Sequence, residues 1–159
     1  MKKKIIILVA MVLCITTVFC ACGKNNEGYS HDVSVKLDGC TVKISTSDDY
    51  VLESFSEGNS IGFAAYFNDG VYDNFAIGSF LPADVFETFK LNIITSDEVT
   101  EVYENTSTMI YYSIPNEEDS SYTEYNRMVK LNDSYVMYLG AFDKDAVDAF
   151  YKTLDVTVK

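Results

Sequence analysis

The chain has 159 residues, with 24 Asp and Glu against 12 Lys and Arg, for a formal net charge of −12. So acidic a chain lacks the basic excess that holds DNA, RNA or an anionic lipid surface by charge, so no nucleic-acid partner is expected. Its length and its 48% hydrophobic content suit one domain with a substantial core.

The chain opens on Lys2, Lys3 and Lys4, followed by an uncharged apolar run over residues 5–19. A bilayer-spanning helix needs about 20 apolar residues, so this run is short for a span and suits the apolar centre of an export signal. It leads into Phe19-Cys20-Ala21-Cys22. A small residue directly before a cysteine, at the end of such a run, resembles the lipobox of bacterial lipoproteins. The resemblance implies transfer of diacylglycerol to Cys22 and cleavage before it, so 1–21 is the signal. Cys20 is the poorer acceptor, because bulky Phe19 would then stand at the cut. The alternative is an uncleaved N-terminal membrane helix. A diacyl anchor is durable, since each buried methylene contributes ~0.8 kcal/mol. The expected location is the extracytoplasmic face of the bacterial cell membrane, with the membrane itself as first partner.

Cleavage after Ala21 leaves 138 of the 159 residues and removes three lysines and no acid, taking the net charge from −12 to −15. Cys14 and Cys20 leave with the signal and Cys22 is acylated, so Cys40 remains and no intramolecular disulfide can form. The domain then depends on its core, in a compartment where disulfides are permitted. Cys40 reads as a small buried hydrophobe rather than a nucleophile.

Residues 22–31 read as a polar tether and 32–159 as a single globular domain. Val33, Val35 and Leu37 alternate, Asp38-Gly39 makes a turn, and Val42 and Ile44 continue on a second strand, a hairpin signature. Strands are expected at 50–55, 60–67 and 75–81, with Gly62 and Gly78 weakening the last two or marking bulges. Asp84 and Glu87 suggest a capping box for a helix that ends near Asn92 and buries Phe86, Phe89 and Ile93. Further strands are expected at 98–104 and 107–114. An acidic loop Glu117-Glu118-Asp119 follows, and then a long hairpin of 121–131 and 134–141 turning at Asn132-Asp133. Asp143 caps a last helix over 144–154, with Phe142 and Val147 as a hydrophobic staple and Val147, Phe150, Tyr151 and Leu154 as its buried stripe. Val156 and Val158 add a short extension.

This order predicts an α+β fold. Strands 107–114 and 134–141 are apolar on both parities, so both faces of the sheet need cover. The helix opening LPADVFETFK and the closing unit NRMVKLNDSYVMYLGAFDKDAVDAFYKTL resemble the PsbP-like superfamily, which takes in the extrinsic photosystem protein and small bacterial lipoproteins of the DcrB kind. The resemblance implies an antiparallel β-sheet flanked by two helices, a PsbP-like sandwich, and a non-enzymatic binding or assembly role. It carries over no site residues.

Chemistry-bearing patterns are few. His31 lies in the tether, away from any rigid frame that a catalytic base needs. Asp143, Asp145 and Asp148 resemble part of a calcium loop but overlap a helix start, where acids meet the helix dipole. No phosphate-binding glycine loop or nucleophile elbow is present, and no cofactor is called for. Tyr111, Tyr112, Tyr122, Tyr125, Tyr135 and Tyr138 crowd the later strands. They read either as good strand residues or as a sugar- or peptide-binding face. Arg127, the one arginine, reads as a structural partner of a carboxylate or as an anchor for an anionic ligand. The function expected is a non-catalytic binding or assembly module for an envelope protein or glycan. The alternative is a carboxylate-dependent hydrolase of cell-wall glycans, which needs two acids facing one cleft. A third option is a structural or immunity-type shield at the envelope.

Overall fold

The computed structural model describes residues 29–57, 60–71, 74–116 and 121–159. The signal, Cys22 and the Glu117-Glu118-Asp119 loop lie outside them. Within the described residues the fold is α+β, mostly antiparallel strand with two helices, and no helix is long and apolar enough to cross a membrane.

The first hairpin forms as its pattern predicts. β1 (Asp32–Leu37) and β2 (Cys40–Ser45) pair from Asp32–Ser45 to Leu37–Cys40. Gly39 takes φ +74° at the turn, a left-handed conformation that glycine adopts without strain. The chain's last strand, β10 (Asp155–Val158), then lies antiparallel along the other side of β2. The result is a three-stranded sheet ordered β1-β2-β10. Its inward residues are Val35, Val42 and Ile44, all buried, with Val156 and Val158 packed beside them. The short terminal extension is thus a structural strand, and the domain has two sheets where one was expected.

The larger sheet takes β3 (Tyr50–Glu57), β4 (Ser60–Phe67), β5 (Asn74–Pro82), β6 (Glu101–Asn105), β7 (Met109–Pro115), β8 (Thr123–Lys130) and β9 (Tyr135–Ala141). Their order is β3-β4-β5-β9-β8-β7-β6. Two antiparallel meanders therefore meet at β5 and β9, which pair from Ala76–Ala141 to Pro82–Tyr135. The turn between β8 and β9 follows the Asn132-Asp133 expectation. Asn132 Oδ1 accepts from the backbone N–H of Ser134 at 2.8 Å and of Tyr135 at 2.9 Å.

One helix covers each face of this sheet. Helix α1 (Val85–Ile94) buries Phe86, Phe89 and Ile93 against Ile110, Tyr112, Met128, Val136 and Tyr138. Helix α2 (Lys144–Thr153) and the small sheet cover the opposite face, where Val147 and Phe150 meet Tyr50, Leu52, Phe63, Phe80, Met137 and Leu139. The caps differ from one another. Asp143 accepts from the N–H of Ala146 at 2.9 Å, as expected. Asp84 is already helical, at φ −65° and ψ −20°, and its side chain makes no cap bond. The chain there is held by Ala83 N–H to the Ser134 carbonyl, and it tightens through Phe86 N–H to the Ala83 carbonyl. The capping box therefore does not form. Phe142 stays 47% exposed while Val147 is fully buried, so the staple does not shield it.

Gly62 and Gly78 mark neither weak strands nor bulges. The shift in β4–β5 pairing falls between Ala65 and Tyr66 instead. Both glycines stand opposite aromatic residues, Gly62 facing Phe55 and Gly78 facing Phe63. A Cβ on Gly78 would lie 2.2 Å from the Phe63 ring, and one on Gly62 only 2.0 Å from the Gly78 carbonyl oxygen. Gly78→Ala is expected to destabilise the fold by about 2–3 kcal/mol through overpacking. Urea denaturation measures this, and a midpoint equal to the parent's would refute the steric account.

Strand β6 begins at Glu101, three residues later than the alternation suggests, because Asp97 and Glu98 are spent in a turn. A bulge between Val102 and Glu104 leaves Tyr103 without a cross-strand partner. Such an extra residue re-aims its side chain, and here it brings Tyr103 beside Tyr111.

At the other end, residues assigned to the tether rest on β3. Ser30 and Leu52 exchange two backbone bonds, at 3.0 and 2.7 Å. The Tyr29 ring packs edge-on against Tyr66, with centroids 4.8 Å apart. His31 donates from Nδ1 to the Tyr50 carbonyl at 2.7 Å.

Candidate functional site: tyrosines around Arg127

Arg127 sits mid-strand on β8, directly opposite Tyr111 on β7 and Leu139 on β9. That parity points it at the face crossed by α2. A guanidinium placed there loses most of its water, since Arg127 is only 7% exposed, and it persists only with compensation. Compensation comes from three side chains. Its Nη2 donates to Asp148 Oδ1 at 2.7 Å. Its Cζ lies 3.9 Å from the Tyr111 ring centroid and 4.2 Å from that of Tyr151. A planar cation between two π faces, with a carboxylate at its edge, is a geometry that lysine cannot reproduce. The structural-partner reading of Arg127 is the one the geometry gives.

Asp148 is shared. Its Oδ2 accepts from Lys144 Nζ at 3.2 Å, one helical turn away. Burial alone would raise the Asp148 carboxyl. The hydrogen bond from Lys144 and the charges of Arg127 and Lys144 outweigh it and hold the group below its ordinary value of 3.8. Burial likewise pushes the Tyr111 phenol well up, helped by the Asp148 charge against that of Arg127. Among the described residues, the buried Arg127 Nε has no hydrogen-bond partner.

Beyond α2 this face continues as a shelf of rings. Tyr103 lies 4.8 Å from Tyr111 and 6.3 Å from Tyr125, centroid to centroid. Its hydroxyl donates to Ser113 Oγ at 3.3 Å. Lys144 Nζ rests 4.9 Å from the Tyr103 centroid. Tyr103, Tyr125 and Tyr151 are each half-buried, so their edges and rims reach solvent. Tyr103 and Tyr151 were not singled out in the sequence as binding residues. Tyr103 was hidden because a bulge is silent in an alternating pattern, and Tyr151 because it fits the helix's apolar stripe.

The other tyrosines do not join this shelf. Tyr112 and Tyr138 lie on the opposite face beneath α1. There Tyr138 Oη donates to Asn126 Oδ1, and burial drives both phenols upward. Tyr135 donates to the Asp38 carbonyl and so ties β9 to the first hairpin. Tyr122 is 60% exposed on its own.

The acids are dispersed. Asp143 caps α2, whereas Asp148 faces Arg127. Glu124 is buried on the α1 face and accepts from Asn116 Nδ2 at 2.6 Å, so Glu124 and Asp148 stand on opposite sides of the sheet. Among the described residues no three His, Cys, Asp or Glu side chains group closely enough to hold a metal ion. Cys40 is half-buried against the main core.

Compared with known proteins, the chain matches no family model, no curated protein and no solved structure.

Proposed function

We propose that this protein is a lipid-anchored, extracytoplasmic binding or assembly module without a catalytic step, of a PsbP-like sandwich kind. Two separate features support the two halves of that reading. Lys2-Lys3-Lys4, the apolar run and Ala21-Cys22 support the anchor. The shelf of Tyr103, Tyr111 and Tyr125 supports the binding role, and it is the observation that carries it. These are large, stiff, amphipathic rings, partly open to solvent and backed by rigid strands, the chemistry favoured at recognition surfaces. The PsbP-like kinship is supported by the long β8–β9 hairpin feeding helix α2.

The anchor also sets distance. From Cys22 to Tyr29, where the described domain begins, an extended chain reaches about 25 Å at ~3.5 Å per residue. A domain so tethered stays close to the headgroups, while its net charge opposes adsorption.

Cys22→Ala is expected to abolish incorporation of labelled palmitate and to release the protein from the membrane fraction. Mass spectrometry of the mature N-terminus checks it. A first residue other than Cys22, or unchanged membrane retention of the variant, would overturn the anchor. For the binding role, Tyr103→Ala with Tyr125→Ala should lose envelope proteins or glycans that the parent captures. Capture no greater than a lipid-only control by the parent would remove that half.

A further inference from the structure

Lys144 is the first residue of α2, a position where the positive end of the helix dipole disfavours a cation. It is nevertheless held in a defined seat. Its ammonium lies 3.2 Å from Asp148 Oδ2, 4.9 Å from the Tyr103 centroid and 5.9 Å from the Tyr111 centroid. Two aromatic rings and a carboxylate around one ammonium form the arrangement that recognises alkylammonium groups. The walls of the seat are rigid and come from three elements. Tyr103 is turned in by the β6 bulge, Tyr111 is clamped under Arg127, and Asp148 is fixed by its bond to Arg127. The occupant is the loose part. Lys144 is a flexible stem whose side chain is 38% exposed, and a change of rotamer carries it out to water. Asp148 and Asp145 both act on Lys144, while at Tyr151 the charge of Arg127 outweighs that of Glu104. The net charge of the chain is −12, and so acidic a protein draws in cationic partners.

We propose that Tyr103, Tyr111 and Asp148 form a binding site for the lysine side chain of a cationic partner protein, and that Lys144 is its resident, displaceable occupant. This rests on the reading of the shelf as a binding surface and names its ligand class. A tethered competitor acts at an effective concentration on the order of millimolar or higher, so the parent protein masks the site until a partner of several cations, or one bound elsewhere as well, displaces Lys144.

The test uses the full-length protein in non-ionic detergent. Parent, Lys144→Ala and Lys144→Ala/Tyr103→Ala are titrated with Nα-acetyl-lysine N-methylamide and with its neutral analogue Nα-acetyl-norleucine N-methylamide, following tyrosine ring resonances. Lys144→Ala is expected to bind the lysine probe about tenfold tighter than the parent, from one cation–π and carboxylate seat made vacant. The norleucine probe should show no such gain, and Tyr103→Ala should cancel it. Equal affinity in parent and Lys144→Ala, or equal gain for norleucine, overturns the proposal. Loss of partner capture on Tyr103→Ala, together with no amine binding by Lys144→Ala, overturns the lysine assignment and leaves the shelf as a binding surface of another kind. Unchanged circular dichroism of Lys144→Ala confirms that the readout concerns the seat and not the fold.

Discussion

Phe150→Ala is expected to cost about 4 kcal/mol of folding stability. Phe150 is fully buried and is the point at which α2 is fastened to both sheets' shared core. Its ring meets Tyr50 at 5.3 Å and Phe75 at 5.5 Å, both nearly edge-to-face, and Phe63 at 6.3 Å. Removing it forfeits the transfer energy of the ring and leaves a void whose walls are themselves rings held by strands, and these collapse poorly. Native domains have only about 5–15 kcal/mol in hand. A fall in melting temperature on the order of 10–15 °C should follow. Phe150→Leu should recover roughly half of the loss, because it refills part of the void. A loss below about 1 kcal/mol in urea denaturation would show that α2 is not seated through this residue.

Asp148→Ala is expected to cost about 3 kcal/mol, for an electrostatic rather than a steric reason. It strands Arg127, whose guanidinium remains buried against Tyr111 and Tyr151, with its Nε already lacking a partner among the described residues. Breaking one side of a buried pair costs more than the pair itself was worth. Asp148→Asn keeps the volume and one acceptor while removing the charge, and should fall between parent and alanine variant. Acid titration gives an independent readout. The folded-state carboxyl lies below the ordinary value of 3.8, so its contribution is complete above that value and is lost as pH falls through the folded-state one. The stability gap between parent and Asp148→Asn should therefore be constant at neutral pH, shrink below about pH 4 and close in stronger acid. A gap that does not change between pH 6 and pH 2 would show that Asp148 is not ionised in the fold. The side chain is 26% exposed, which tempers the magnitude but not the sign.

What could be read from the sequence was what depends on neighbours along the chain. The β1–β2 hairpin follows from alternation around Asp38-Gly39, the β8–β9 hairpin from Asn132-Asp133, and the cap of α2 from Asp143. Each is fixed by contacts within a few residues. Pairings across the chain left no such trace. Nothing in Val156 or Val158 announces that β2, more than a hundred residues earlier, is their neighbour. The same holds for the glycines. Gly62 and Gly78 look like weak points until Phe55 and Phe63 are seen opposite them. At the candidate site the sequence offered the right residue types and the wrong grouping. Of six tyrosines close together in the chain, strand alternation parts Tyr111 and Tyr125 from Tyr112 and Tyr138, while Tyr122 lies outside the strands. The shelf is completed by Tyr103 and Tyr151, which flank them in sequence and reach it through a bulge and a helix. Arg127 was legible for a plain reason: a lone arginine within a strand needs a carboxylate, and Asp148 is that carboxylate.

The pairing of β10 with β2 has a consequence for how the protein comes into being. The smaller sheet cannot close until Asp155–Val158 have been made, so the first hairpin waits for a second neighbour more than a hundred residues further along the chain. A product cut short before Asp155 would leave β2 with a bare row of amide and carbonyl groups beside an uncovered apolar core, the kind of edge that recruits other chains. Strand β10 thus guards the first hairpin, and copies that lack it carry their own mark for clumping or proteolysis.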